Sequence, residues 1–234
     1  MVSIDSFFSL KRFAHKSLWK EGEPVWSPLL ALDAYLEKKS YNIEITIPTY
    51  VHLLRPDLIS IGKGTVIEPG VCIQGPCIIG KNCIIRHGAF LRDGVICGDH
   101  CAIGHSAEVK HAILLNYAHI THFTYVGDSI VGNWVNLGAG VKCANLRLDR
   151  RPVEVLVDGQ KIKTGLKKFG AIIGDKTQIG CNCVLNPGTL MGKESASYPL
   201  LNLRGYILPQ SRVISDKPWH VEPIRGNILE QIGK

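Results

Sequence analysis

From Ile61 onward the chain places an apolar residue at every sixth position. Ile67, Ile73, Ile79, Ile85, Leu91, Cys97, Ile103, Val109 and Leu115 all fall in phase with it. Four positions later runs a second series, Thr65, Val71, Cys77, Cys83, Ala89, Val95, Cys101, Ala107 and Ile113, in which small residues dominate. The slot just before that one holds mainly turn formers: Gly64, Gly70, Pro76, Asn82, Gly88, Gly94, His100 and Ser106. A period of six matches neither a helix at about 3.6 nor an alternating strand at 2. It matches short strands joined by turns, each flat face sending one large and one small side chain inward. Stacked with three faces and roughly eighteen residues per coil, such strands form a parallel β-helix. Ordinary short strands in a sandwich do not produce ten in-phase positions. The pattern leaves the hand of the coil open, and the crossover rule alone favours a right-handed turn.

The beat slips once and breaks once. After Leu115 the next inward positions read as Tyr125, Val131, Leu137 and Cys143, so ten residues stand where twelve are expected. At that slip lies His119-Ile120-Thr121-His122-Phe123-Thr124-Tyr125, rich in chemistry. Between 146 and 170 the repeat disappears, and Val153–Val157, Asp158-Gly159 and Gln160–Lys163 predict a basic β-hairpin projecting from one corner. Hexads resume at Ile173, Ile179, Leu185 and Met191, then decay from Glu194.

The flanks carry no hexads. In residues 1–55, Ser27-Pro28 ahead of Leu29, Leu30, Leu32, Ala34 and Leu36 predicts a helix with a serine cap and an early proline. Tyr41–Ile47 alternates as a strand that Pro48 ends. Together they predict a cap over the first coil, whose strand edges would otherwise lie unpaired. The coil occupies 56–215, and a tail, 216–234, follows with a short helix expected around Ile228, Leu229 and Ile232.

Composition narrows the partners. No stretch of about 18 uncharged apolar residues exists to span a bilayer, and the N-terminus lacks a signal-peptide layout. A formal charge of +7 admits anionic partners. Its one concentration, Arg147, Arg150, Arg151, Lys161, Lys163, Lys167 and Lys168, has no groove-reading motif beside it, which favours phosphorylated small molecules over nucleic acid. Of the eight cysteines, Cys97 and Cys143 take the large inward slot while Cys77, Cys83, Cys101 and Cys183 take the small one. Reduced thiols in a cytoplasmic protein are the expectation.

Several residues carry candidate chemistry. Arg92 and Lys110, eighteen apart, fall on one face in successive coils about 4.8 Å apart. Stacked like charges there suit a phosphate between them. His122 is a candidate base, because imidazole titrates near neutrality. His100 and His105 are spaced like paired ligands of a trimeric β-helix carbonic anhydrase, but the third histidine is missing from 60–70. Cys181-Asn182-Cys183 lacks partner ligands, so no metal site is expected.

Taken in order, Leu91-Arg92-Asp93-Gly94, Glu108-Val109-Lys110, Thr121 to Asp128, Asn136 to Gly140 and Ala144-Asn145 resemble one enzyme domain. It is the acetyltransferase domain of the bacterial bifunctional N-acetylglucosamine-1-phosphate uridyltransferase / glucosamine-1-phosphate acetyltransferase. The likeness is closer to archaeal-type sugar-phosphate nucleotidyltransferase/acetyltransferases, which share the continuations Ala144–Asp149 and Lys168–Asp175. The resemblance covers roughly residues 60–215 and implies a left-handed coil. It implies His122 as general base with Glu108 near enough to orient it, Arg92 and Lys110 on the sugar phosphate, and Tyr125 and Asn136 on the sugar. Ala139 and Asn145 would line the acetyl-CoA thioester. Leu146 and Cys181 stand at acetyl-CoA contacts where the bacterial form has tyrosine and serine. No metal is implied for acetyl transfer.

The expectation is therefore an acetyl-CoA-dependent N-acetyltransferase acting on an amino-sugar phosphate, foremost glucosamine 1-phosphate. As the family implies, it would work as a cytoplasmic homotrimer in UDP-N-acetylglucosamine supply to the cell envelope, with sites between subunits. The fifty residues ahead of the coil are too few for a nucleotidyltransferase domain, so a separate nucleotidyltransferase is the expected partner. The rivals are an acyltransferase acting on a nucleotide-sugar and a non-catalytic assembly or sensing coil.

Overall fold

The computed structural model describes residues 3–215; the tail helix expected around Ile228 lies outside them. Twenty-two short parallel strands stack as a β-helix of about nine turns, and two antiparallel strands form the hairpin. The first face joins pairs such as Ile84–Ile85, Ala102–Ile103, His119–Ile120, Asn136–Leu137 and Gln178–Ile179. The second and third faces belong to one sheet, because Phe90–Cys97 and Glu108–Leu114 each run around the corner between them. Inward residues from Ile61 to Val109 are buried as their six-residue spacing requires.

Beyond Val109 the spacing changes. Cys97 pairs with Leu114, and Leu114 with Val131. Val109 pairs with Val126, not with Tyr125. The ten-residue slip is thus two separate deletions of one residue at the same corner. Asp93-Gly94 turns it with two residues, whereas His111 and Asp128 each turn it alone, at φ 45° and 48°. Leu115 and Tyr125 therefore face outward, and Leu114 and Val126 take the inward slots.

The third face is covered. Its outward residues Ile96, Ile113, Ile130, Ile172 and Leu190 are buried beneath Phe7, Phe8, Phe13, Trp26, Leu29 and Leu32 of the N-terminal segment. Asp175 fastens that segment: its carboxylate accepts from Ser9 N at 2.8 Å and Asn133 N at 2.7 Å, while its own amide donates to Phe7 O at 2.7 Å. The helix α1, Ser27–Glu37, therefore lies along the flank of the coil rather than over its end. Trp26 occupies the cap position, and the buried Ser27 hydroxyl caps nothing and has no partner. The end is covered by residues 43–47 instead, with Ile43, Ile45 and Ile47 against the core. The strand expected over Tyr41–Ile47 reduces to one bridge, Ile43 to Ile61, since the chain must bend there to cross the end.

The hairpin pairs Glu154–Val157 with Gln160–Lys163 through Asp158-Gly159, both at positive φ. It folds back rather than projecting: Val153, Val155 and Val157 bury against Phe169 and Leu190. Its lysines face away from that contact, Lys161 and Lys163 both exposed.

All eight cysteines are free, and six are buried in the slots assigned to them. Cys83, Cys97 and Cys101 bring their sulfurs within 4.8 Å of one another. Cys83 and Cys101 donate to Gly98 O at 3.1 Å and Leu115 O at 3.0 Å. Burial opposes thiolate formation in this core, pushing Cys143 up to about 12, and the trio is read as packing.

Candidate active site

On the second face two outward columns run up successive coils. One holds Phe90, Glu108, Tyr125 and Lys142; the other holds Arg92, Lys110 and Gly127. Arg92 and Lys110 are directly paired in register, as their spacing predicts. Their charges are met by carboxylates. Arg92 Nε and Nη2 lie 2.8 and 2.6 Å from Glu108 Oε1, and Nη1 lies 2.5 Å from Asp93 Oδ2. Lys110 Nζ is 3.5 Å from Asp128 Oδ2.

Gly127 shapes the next step of the column. A Cβ there would strike the Tyr125 hydroxyl and lie 2.8 Å from Asn145 Nδ2. Its absence lets Tyr125 and Asn145 converge, with Asn145 Nδ2 donating to the Tyr125 hydroxyl at 3.1 Å. The same amide donates to Asp128 Oδ2 in a very short contact. Burial disfavours the Asp128 carboxylate, but His111, Asn145 and Lys110 outweigh it and hold the group below the usual carboxylate range. Burial pushes the Tyr125 phenol up, and the carboxylates of Asp128 and Glu108 push the same way.

The remaining sequence candidates lie elsewhere on the chain. His122, Ala139 and Cys181 occupy equivalent places at the corner between the first and second faces, with Gly140 N donating to His122 O and Asn182 N to Ala139 O. His87 and His105 fill the two places below, their rings stacked at 5.4 Å. His122 leaves that stack: its exposed ring has no hydrogen bond, ion pair or ring contact among the described residues, and Phe123 packs on His105 instead. Glu108 contacts Arg92 rather than His122, so within this chain it does not orient the imidazole. Asn136 lies on the first face, between His119 and Gln178. Leu146 is exposed at the start of the insertion. His100 and His105 sit at different corners; His100 stacks on Tyr117 at 4.7 Å, which ends the carbonic anhydrase comparison.

Sequence reasoning does not find His111 and Asp128. Each is the lone residue turning a shortened corner, so the interruption of the beat is their signal. Reading it as one slip near Tyr125 hides both.

A relative spans most of the chain. The uncharacterized acetyltransferase YaiX of Escherichia coli K12 is 34% identical over 185 residues, 77% of this chain and 80% of its own length. The chain belongs to the hexapeptide-repeat acetyltransferases. Within this family, the bifunctional sugar-1-phosphate nucleotidylyltransferase/acetyltransferase of Sulfurisphaera tokodaii is 41% identical over 92 residues, 39% of this chain. This hexapeptide-repeat protein spans only 23% of that relative's length. Residues 73–166 also match the model of the GMPPB C-terminal domain. Among solved structures, the UDP-N-acetylglucosamine acyltransferase from Campylobacter jejuni aligns with 70% of this chain and 69% of its own at 15% identity, with a TM-score of 0.41, too low to bear on function.

Proposed function

We propose that this acetyltransferase moves the acetyl group of acetyl-CoA to the amine of an amino-sugar phosphate, with glucosamine 1-phosphate as the substrate. The observation carrying this reading is the register pairing of Arg92 with Lys110, beside the converging Tyr125 and Asn145. Two cations on adjacent coils suit a phosphate dianion, Tyr125 beside them suits a sugar hydroxyl, and Asn145 keeps the place along the acetyl-CoA thioester that the resemblance implies. The substrate phosphate would take over from the carboxylates that now face these cations.

The amine attacks the thioester carbonyl, a C–N bond forms and the C–S bond breaks. His122 takes the ammonium proton and returns one to the departing coenzyme A thiolate. Backbone N–H groups at the His122–Ala139–Cys181 corner stabilise the oxyanion. The coenzyme's phosphates suit the groove of about 580 Å³ beyond Asn145, lined by Arg147, Arg151, Lys161 and Lys163.

His122 and Asn136 do not lie over Arg92 and Lys110 in one subunit. We therefore propose a homotrimer in which the His122 corner of one subunit faces the second face of its neighbour. With the third face already covered, the first and second faces remain for such contacts. Thiol release from acetyl-CoA in the presence of glucosamine 1-phosphate tests the activity. Release only with nucleotide-linked amino sugars would move the substrate assignment, and no release with any amino sugar would sink it. Light scattering at the monomer mass would remove the trimer.

A further inference from the structure

The N-terminal segment reaches the site at one point. Helix α1 brings Asp33 Oδ1 to 3.5 Å from His111 Nε2. On its other side, the His111 ring places Nδ1 3.2 Å from Asp128 Oδ1, a close contact that misses hydrogen-bond alignment. The imidazole is thus sandwiched between two carboxylates, one on the helix and one on the next coil. Arg92 and Asp93 stand on the coil below, and Lys110 is its immediate neighbour.

The two oxygens of Asp128 have different company. Oδ2 is shared by Asn145 and Lys110, whereas Oδ1 meets only His111 among the described residues. With the imidazole in place, the Asp128 side chain is only 7% exposed. A buried carboxylate oxygen left without a partner turns toward the nearest cation. Here that cation is Lys110.

We infer that His111 is a positioning residue for the anion site. By packing against Asp128 Oδ1, it holds that carboxylate to its one long contact with Lys110, 3.5 Å through Oδ2, and prevents a closer two-oxygen grip that would compete with an incoming phosphate. Asp33 steadies the ring from behind, which gives the N-terminal segment a role in substrate binding as well as in covering the third face. This inference rests on the proposed phosphate role of Lys110, and its test separates the two.

The variant of choice is His111→Gly, because glycine adopts the φ of 45° at this corner without strain. Its dissociation constant for inorganic phosphate and its KM for glucosamine 1-phosphate should both rise about tenfold, the scale of a hydrogen bond to a charged group. Turnover at saturation should stay within about twofold, because only ground-state binding is altered. His111→Asn, which keeps a donor and tolerates the same φ, should restore most of the loss. In a Lys110→Ala background, His111→Gly should add nothing, since the two act as one unit. A purely structural role predicts additive losses, or kcat falling with phosphate affinity unchanged, and either result overturns the inference. If the glycine variant does not fold, Asp33→Asn on the surface of α1 should raise both constants about twofold, and no change would count against the idea. Should the wild type acetylate no amino-sugar phosphate yet bind phosphate in this His111-dependent way, the proposed function falls and the inference stands. Turnover on glucosamine 1-phosphate with unaltered constants in His111→Gly overturns the inference and leaves the proposed function standing.

Discussion

The strand Phe90–Cys97 contrasts with itself. Before the corner at Asp93-Gly94 its outward residues are Phe90 and Arg92, open to solvent in part; after it the outward residue is Ile96, fully buried. The same holds one coil up, where Glu108 and Lys110 precede the corner and Ile113 follows it. The strands stay parallel and paired on both sides of the corner, with one register shift at it, and both halves send equivalent residues to the core. What separates a charged face from a covered one is therefore the outward slot alone. A parallel β-helix supplies its core from one set of positions and is free to write a different purpose on each outer face.

The largest effect is expected at the edge of the charged face. His122→Ala should lower turnover by about 10² to 10⁴, the range for losing a general base, and leave acetyl-CoA affinity nearly unchanged. Wild-type turnover in the variant would make the imidazole dispensable. On the covered face, Ile130→Ala should cost about 2–5 kcal/mol in chemical unfolding through the cavity it leaves, with kinetics of the folded enzyme intact. The outward Phe90→Ala, on the other face of the same sheet, should cost far less; equal losses would erase the contrast. Lys110→Ala should raise the KM for the sugar phosphate by about thirty- to a hundredfold, equivalent to about 2–3 kcal/mol. That difference should vanish with glucosamine as substrate, and lost acetyl-CoA affinity would instead place coenzyme phosphates here.

The smallest effect concerns pH. Asp128 is held below its ordinary range when folded, so its ionised form stabilises the protein above the unfolded value of about 3.9. That contribution is lost as pH falls through the lowered folded value. Asp128→Asn should therefore be less stable than wild type by about 1–2 kcal/mol at pH 7, with the gap closing as pH falls through the lowered folded value. A gap independent of pH would show that shape, not charge, matters at this corner.

The coil from Ile61 to Val109 is legible in the sequence because each six-residue step moves the chain by one whole face. Legibility ends where a turn loses a residue. Leu114 and Leu115 are both apolar and both buried, one in the coil and one under the N-terminal cover, so hydrophobicity does not say which takes the inward slot. Arg92 and Lys110 can be paired from their spacing because the one coil that separates them is complete. Lys110 and Asp128 also lie eighteen apart, but the shortened turn moves Asp128 onto the corner and Gly127 into register with Lys110. The position of α1 is hidden for another reason: its leucines announce a buried stripe without naming what buries it, and the isoleucines of the third face are already accounted for as strand residues.

The corner turned by Asp93-Gly94, His111 and Asp128 is also where residues 146–168 leave the coil. Phe169 N donates to Asn145 O, and Gly170 N to Asp128 O, both at 2.8 Å, so the coil resumes as though nothing intervened. The corner thus accepts a deletion and an excursion of more than twenty residues with equal ease, since closing a longer loop adds little entropic cost. The excursion is nonetheless no longer dispensable. Its valines roof Leu190 and Phe169, and trimming it to a tight turn would strip that part of the third face. A segment that the scaffold could admit without cost has become one that the scaffold cannot release, so variation among relatives at this corner should change the hairpin's outer lysines while preserving its inner valines.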